Sequence, residues 1–212
     1  MSTTLEDLIT RRFQDVTVSE AGDINTAEFL EAAEGVVKLF GTLPALQVNT
    51  HVLDSAAFYP VKTDLSNNIK KVREKSLSKP ADPTVYDTLQ KIIVAEAKEG
   101  DRTATQGLLW LKRGLELTAM ALKRNLENEK ETLSESFTEA YNNTLKQFHG
   151  FIVKKMFGMA MIACPDRETF YKKIGGDKEG AHEQLLVWVD ALQKLLNELN
   201  IFYAKGAYDK GL

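Results

Sequence analysis

The chain has a single cysteine, Cys164, so no intramolecular disulfide can form, which fits a reducing compartment. It also lacks an apolar run near the roughly 18 residues of a membrane-spanning helix. The most apolar stretch, Phe157 to Cys164, is too short. The N-terminal MSTTLEDLITRRF has no apolar core of the kind a secretory signal needs. A formal net charge of −3 exerts no global pull toward nucleic acid or anionic membrane, and leaves room only for local basic patches. These absences together lead us to expect a soluble, cytosolic protein.

The motifs of common chemistries are missing too. No H-E-x-x-H, paired C-x-x-C, Walker or Rossmann pattern occurs. Gly175-Gly176 lacks the Lys-Ser/Thr of a phosphate loop, and His51, His149 and His182 are too far apart for metal-ligand spacing. Cys164 has no basic neighbour placed to lower its pKa, so it reads as an inert buried thiol. Asp64 could act as a general base only with a second group beside it. Nothing calls for catalysis, a cofactor or a metal, and the expectation is a protein that is not an enzyme.

What is present is helix. A hydrophobic content of 43% in 212 residues is enough to bury a sizeable core. Residues 1–25 show mixed charge and little periodicity and read as an N-terminal arm. From Thr26 the apolar positions Phe29, Ala33, Val36, Val37 and Phe40 recur at helical spacing, and Gly41 and Pro44 end that helix. A second helix is expected over about 54–77, bent by Pro60, a third from Thr84 to near Gly100, and a fourth over about 103–129. A long fifth helix is expected over about 134–163, a short one over 166–173, and a last one over about 178–204. There is no hairpin signal, repeat or low-complexity tract. The reading is all-α, with one domain over 26–212 after the arm.

One polar face stands out. In a helix, Asp64, Asn68 and Lys71 fall at i, i+4 and i+7 and share a side. That side carries a carboxylate, a carboxamide and an ammonium, but no nucleophile. Such a set suits a ligand with several hydroxyls and an amide, although polar faces on surface helices are also routine.

Three segments then resemble the glycolipid transfer protein family, including its fungal heterokaryon-incompatibility branch. They are Pro60-Val-Lys-Thr-Asp-Leu-Ser-Asn-Asn-Ile69, Leu108-Leu-Trp-Leu-Lys-Arg-Gly-Leu115 and Phe148-His-Gly-Phe-Ile-Val-Lys-Lys155, in family order at compatible intervals. The resemblance covers about residues 27–208. It implies a two-layer sandwich of about seven to eight helices around a hydrophobic lipid pocket. It also implies binding of glucosyl-, galactosyl- or lactosylceramide-type glycosphingolipids and their transfer between membranes without turnover. On it, Asp64, Asn68 and Lys71 match the headgroup face, Trp110 the sugar platform and His149 the ligand of the ceramide amide. Tyr208 matches a closing tyrosine. Phe40, Leu43, Val61, Leu145, Phe157 and Met161 match the tail pocket. Phe151, Lys154 and Lys155 fall at the membrane-docking position.

The sequence also departs from the family pattern. Phe151 stands where the family often has tryptophan, Gln106 where an apolar residue is common one turn before Trp110, and about Ala45 to Phe58 forms a long insertion. Trp188 reads as core of the last helix. A ceramide-1-phosphate carrier would carry arginines where this chain has Trp110 and Gly114, because phosphate needs cations. A glycolipid sensor acting through a protein partner would show the same pocket.

Overall fold

The helical segment Thr103–Glu127 carries leucines at 108, 109, 111, 115, 117, 122 and 126, and most of its residues are buried. The computed structural model describes residues 9–42, 53–175 and 180–212 and places that helix at the centre. In chain order the α-helices among the described residues are α1 (Thr26–Thr42), α2 (Leu53–Ser76), α3 (Leu89–Glu99), α4 (Thr103–Glu127), α5 (Leu133–Asn143), α6 (Phe151–Ile162), α7 (Arg167–Lys173) and α8 (Ala181–Gly206). The all-α expectation holds: the described residues form no strand, only the isolated bridges Val18–Ile24 and Asn25–Thr88. Helix α4 packs against α2, α3, α5 and α8, and α1 packs on α2. Leu43 and His51 lie outside the described residues, as does most of the insertion.

The junction of α3 and α4 shows how the ends are satisfied. Gly100 closes α3 in the left-handed region, at φ 74°. Glu96, fully buried, then accepts from the backbone N–H of Ala104 at 2.9 Å and of Thr105 at 2.7 Å. A carboxylate on the N-terminus of α4 meets both its orphan donors and its dipole.

Two expected elements differ. The third helix begins at Leu89, capped by Thr88, and a 3-10 turn over Pro83–Tyr86 precedes it. The long helix over 134–163 is broken. Thr132 and Glu135 open α5 with a capping box, but α5 stops at Asn143, a 3-10 turn follows over Leu145–Phe148, and α6 restarts after Gly150. The cause is local. Asn143 Nδ2 donates to the Glu139 carbonyl at 2.8 Å and Thr144 Oγ1 to the Ala140 carbonyl at 2.7 Å, so side chains compete for carbonyls that a helical ladder would use.

The segment read as an arm packs closely over the residues described from it. Phe13 is buried against Trp188 on α8, with ring centroids 5.0 Å apart, and Val16 and Ile24 join the same core. Its short turn and two isolated bridges give no helical period to read.

Candidate functional site

Two glycines decide how the site is built. A Cβ on Gly114 of α4 would come within 2.8 Å of Leu65 Cδ2 on α2. One on Gly107 would lie 3.1 Å from Lys71 Cβ and 3.4 Å from the Asn68 carbonyl. Without side chains at these two positions, α4 closes onto α2 along the face that carries Asn68 and Lys71. Asn68 is buried there, and its Nδ2 donates to Asp64 Oδ2 at 3.2 Å. Asp64 keeps contact with solvent, but enough protein flanks it to raise its carboxyl above the usual aspartate range. Lys71, Asn68 and His149 oppose that rise.

His149 reaches this group from the break between α5 and α6. Its backbone is extended, at φ −98° and ψ 133°, so it does not lie inside a helix as its sequence context suggests. Its ring lies near-parallel to Trp110 on α4, with centroids 6.1 Å apart and planes 14° apart. The Tyr141 hydroxyl sits 3.1 Å from His149 Nδ1. Burial lowers the pKa of His149, and Asp64 acts against this. The imidazole is therefore neutral at pH 7. The structure thus gathers Asp64, Asn68, Lys71, Trp110 and His149 from α2, α4 and the α5–α6 break.

Tyr208 is held elsewhere. Its ring stacks on Phe202 at 5.3 Å and its carbonyl accepts from Arg102, which ties it to the C-terminal turn. Of the tail-pocket candidates, Phe40 and Leu145 are buried, while Val61, Phe157 and Met161 are half-buried against the same core. Phe40 packs near Phe58 and Phe137, and Phe157 lies flat on Tyr141 with centroids 3.7 Å apart.

At the docking position the first turn of α6 projects outward, with Phe151 71% and Ile152 72% exposed. Lys155 Nζ lies 4.6 Å over the Phe151 ring, and Lys154 is exposed. Farther along α6, Met159 and Ile162 are also exposed. The helix is pinned near its C-terminal end, where Ser134 Oγ donates to the Met161 carbonyl at 3.1 Å. Burial pushes the Cys164 thiol up to about 12, which makes it inert at neutral pH. Among the described residues, no three His, Cys, Asp or Glu side chains cluster to hold a metal, and no helix is long and apolar enough to cross a membrane.

Sequence reasoning missed Tyr141 and Arg113. Tyr141 gives no local signal, since it meets His149 only because the helix breaks between them. Arg113 stands one turn after Trp110, a spacing that could have flagged it.

This fold and polar face define the class, an all-α scaffold shared with solved lipid-transfer structures. The crystal structure titled HET-C2, a fungal glycolipid transfer protein, superposes with a TM-score of 0.84 at 40% identity, covering 95% of this chain and 97% of that one. A structure titled for how FAPP2 selects simple glycosphingolipids superposes at 0.83 with 30% identity, covering 97% of both chains. By sequence, a glycolipid transfer protein of Aureobasidium melanogenum is 43% identical over 201 residues, covering 95% of this chain and 93% of that protein. A pleckstrin homology domain-containing family A member 8 of Danio rerio is 30% identical over 208 residues; the match covers 92% of this chain but only 35% of that longer protein. The family model of glycolipid transfer protein matches residues 24–176. The chain belongs to the glycolipid transfer protein family.

Proposed function

We propose that the chain binds glycosphingolipids and carries them between membranes without chemical turnover. The observation that carries this reading is the convergence of an acid, an amide, a lysine, an indole and an imidazole from three separate parts of the chain onto one face. The carrier unit runs over 26–212, with the described residues before it, 9–25, packed on it. The Trp110 face takes the C–H side of a pyranose, an aromatic contact of about 0.5–1.5 kcal/mol beyond burial. Asp64, Asn68 and Lys71 orient the sugar hydroxyls, and Tyr208 would have to turn from Phe202 to help close over them. Asp64 also accepts the amide N–H. When the Tyr141 phenol donates to Nδ1, the proton of His149 sits on Nε2 and is offered to the amide carbonyl.

Affinity comes from the tails, held against Phe40, Val61, Leu145, Phe157 and Met161. At about 0.8 kcal/mol per methylene, a chain of about 16 carbons gains ~13 kcal/mol over water. A bilayer offers the same gain, so exchange between pocket and membrane is nearly neutral and needs no energy source. Phe151 and Ile152 supply the apolar contact with the membrane, with Lys154 and Lys155 beside them. On this reading the chain works in the cytosol and visits membrane surfaces briefly.

A vesicle assay tests the reading. Glucosyl- or galactosylceramide should move between vesicles faster than ceramide-1-phosphate or phosphatidylcholine. A preference for ceramide-1-phosphate would overturn the headgroup assignment, and saturable binding without movement would make the chain a sensor. Trp110 and Gly114, where a phosphate site would want cations, favour the glycolipid.

A further inference from the structure

Behind the Trp110 platform, between α4, the 3-10 turn before His149 and α8, lies a cavity of about 650 Å³. The headgroup reading makes no use of it. Its walls include Arg113, Phe148, Asn143, Gln147, Asn197 and Asn200. The Asn197 carboxamide offers both donor and acceptor to hydroxyl groups, Asn143 and Gln147, whose amide nitrogens donate to Glu139 and Thr144, offer acceptors, and Phe148 adds an aromatic wall.

The charges in it are unevenly settled. Lys112 is closed off: its ammonium donates to Glu116 at 3.1 Å and to Asn200 at 2.5 Å, and Asn200 in turn donates to Glu116 at 2.6 Å. Arg113 is different. It is 9% exposed, and its guanidinium lies 3.6 Å over the Phe148 ring and 5.0 Å from the Trp110 ring centre. Ring faces attract the charge but accept none of its in-plane N–H bonds. No described oxygen accepts one, and Asp209 at the cavity edge acts on Arg113 only through space. A fork of donors that faces the cavity without a protein acceptor fits a planar or tetrahedral oxyanion.

We infer that this cavity is a separate site for a small hydroxylated anion, a sugar or polyol bearing phosphate or carboxylate, with Arg113 holding the anionic group and the carboxamides the hydroxyls. Because Arg113 also lies over the Trp110 and Phe148 rings, a ligand that draws the guanidinium toward itself reaches the back of the sugar platform. The anion could be free in solution or presented as a lipid headgroup.

The test uses the full chain without glycolipid, so its outcome is separate from that of the transfer assay. Glucose 6-phosphate is titrated by calorimetry and by tryptophan fluorescence, with glucose as the uncharged control. Phosphatidylinositol vesicles against phosphatidylcholine vesicles form the second arm. Saturable binding of the sugar phosphate but not of glucose assigns a soluble ligand, and binding confined to phosphatidylinositol vesicles assigns a headgroup. In either case Arg113→Gln should weaken binding at least tenfold. Two exposed variants keep the test open if that protein does not fold: Asn197→Asp should weaken binding, and Asp209→Asn should strengthen it severalfold by removing the competing carboxylate. Absence of saturable binding in both arms, or affinities indifferent to all three substitutions, would overturn the site.

Discussion

The α2–α4 junction and helix α6 are built on opposite plans. At the junction, glycines at 107 and 114 bring two backbones together, Asn68 donates to Asp64 on that face, and Lys71 and His149 act on the carboxylate through space. Helix α6 buries one residue fully, Ala160, and shows much of its apolar surface to solvent. Recognition placed on rigid, closely packed elements keeps its geometry. A thinly packed helix opens at low cost. On the proposed function, the difference assigns selection and admission to separate elements.

Substitutions at the junction should therefore change what is bound. The largest effect is expected for Trp110→Ala, which removes the platform. About 2–4 kcal/mol of aromatic burial and stacking is lost, and most glycolipid transfer should go while circular dichroism stays helical. Unchanged transfer by the folded variant would break the assignment. Asp64→Val comes next, at about 1–3 kcal/mol for partners left unpaired. The variant should stop preferring glycosylceramide over ceramide in a competition assay.

Asp64 also sets a pH dependence. Its folded pKa is raised by burial from the ordinary 3.8, so on acidification the carboxylate is lost before an ordinary aspartate would titrate, and wild-type binding should fall with it. Asp64→Asn should flatten that acid limb. In stability the sign is that of a raised pKa. The contribution is present in full below 3.8 and is lost as pH rises through the folded value, which a pH series of thermal midpoints would show.

Gly114→Ala tests the close approach itself. The added methyl meets Leu65 at 2.8 Å, and overpacking should cost about 1–3 kcal/mol in chemical denaturation. Tyr141→Phe should cost about 0.5–1.5 kcal/mol of glycolipid affinity by freeing the His149 ring, read in a binding titration. Ile152→Ser belongs to the other region and should have the smallest effect. It should slow transfer severalfold, in keeping with about 1 kcal/mol less apolar contact, and leave the order of preference among glycolipids intact. A changed order would mean that the two regions do not divide the work.

Much of this was legible in the chain. The second helix is expected, and within it the shared side of Asp64, Asn68 and Lys71; Thr26 and Gly100 mark helix limits. The break at Asn143–Gly150 was not legible, because Asn143 and Thr144 read as ordinary helix residues until their side chains are seen taking carbonyls. His149 was thus identified as a candidate but placed on the wrong kind of backbone. The burial of Phe13, Val16 and Ile24 was hidden for a related reason: a chain held by tertiary contact alone carries no period. The roles of Gly107 and Gly114 depend on what α2 presents to them, which one strand of text cannot show.

The bond from Ser134 to the Met161 carbonyl gives α6 a fulcrum. Ten residues separate Met161 from Phe151, so at 1.5 Å per residue the outer turn lies about 15 Å from that pivot. An oily surface that took up Phe151 and Ile152 would pull on the long arm of a lever, and a swing of that arm would part Phe157, partway along, from Tyr141.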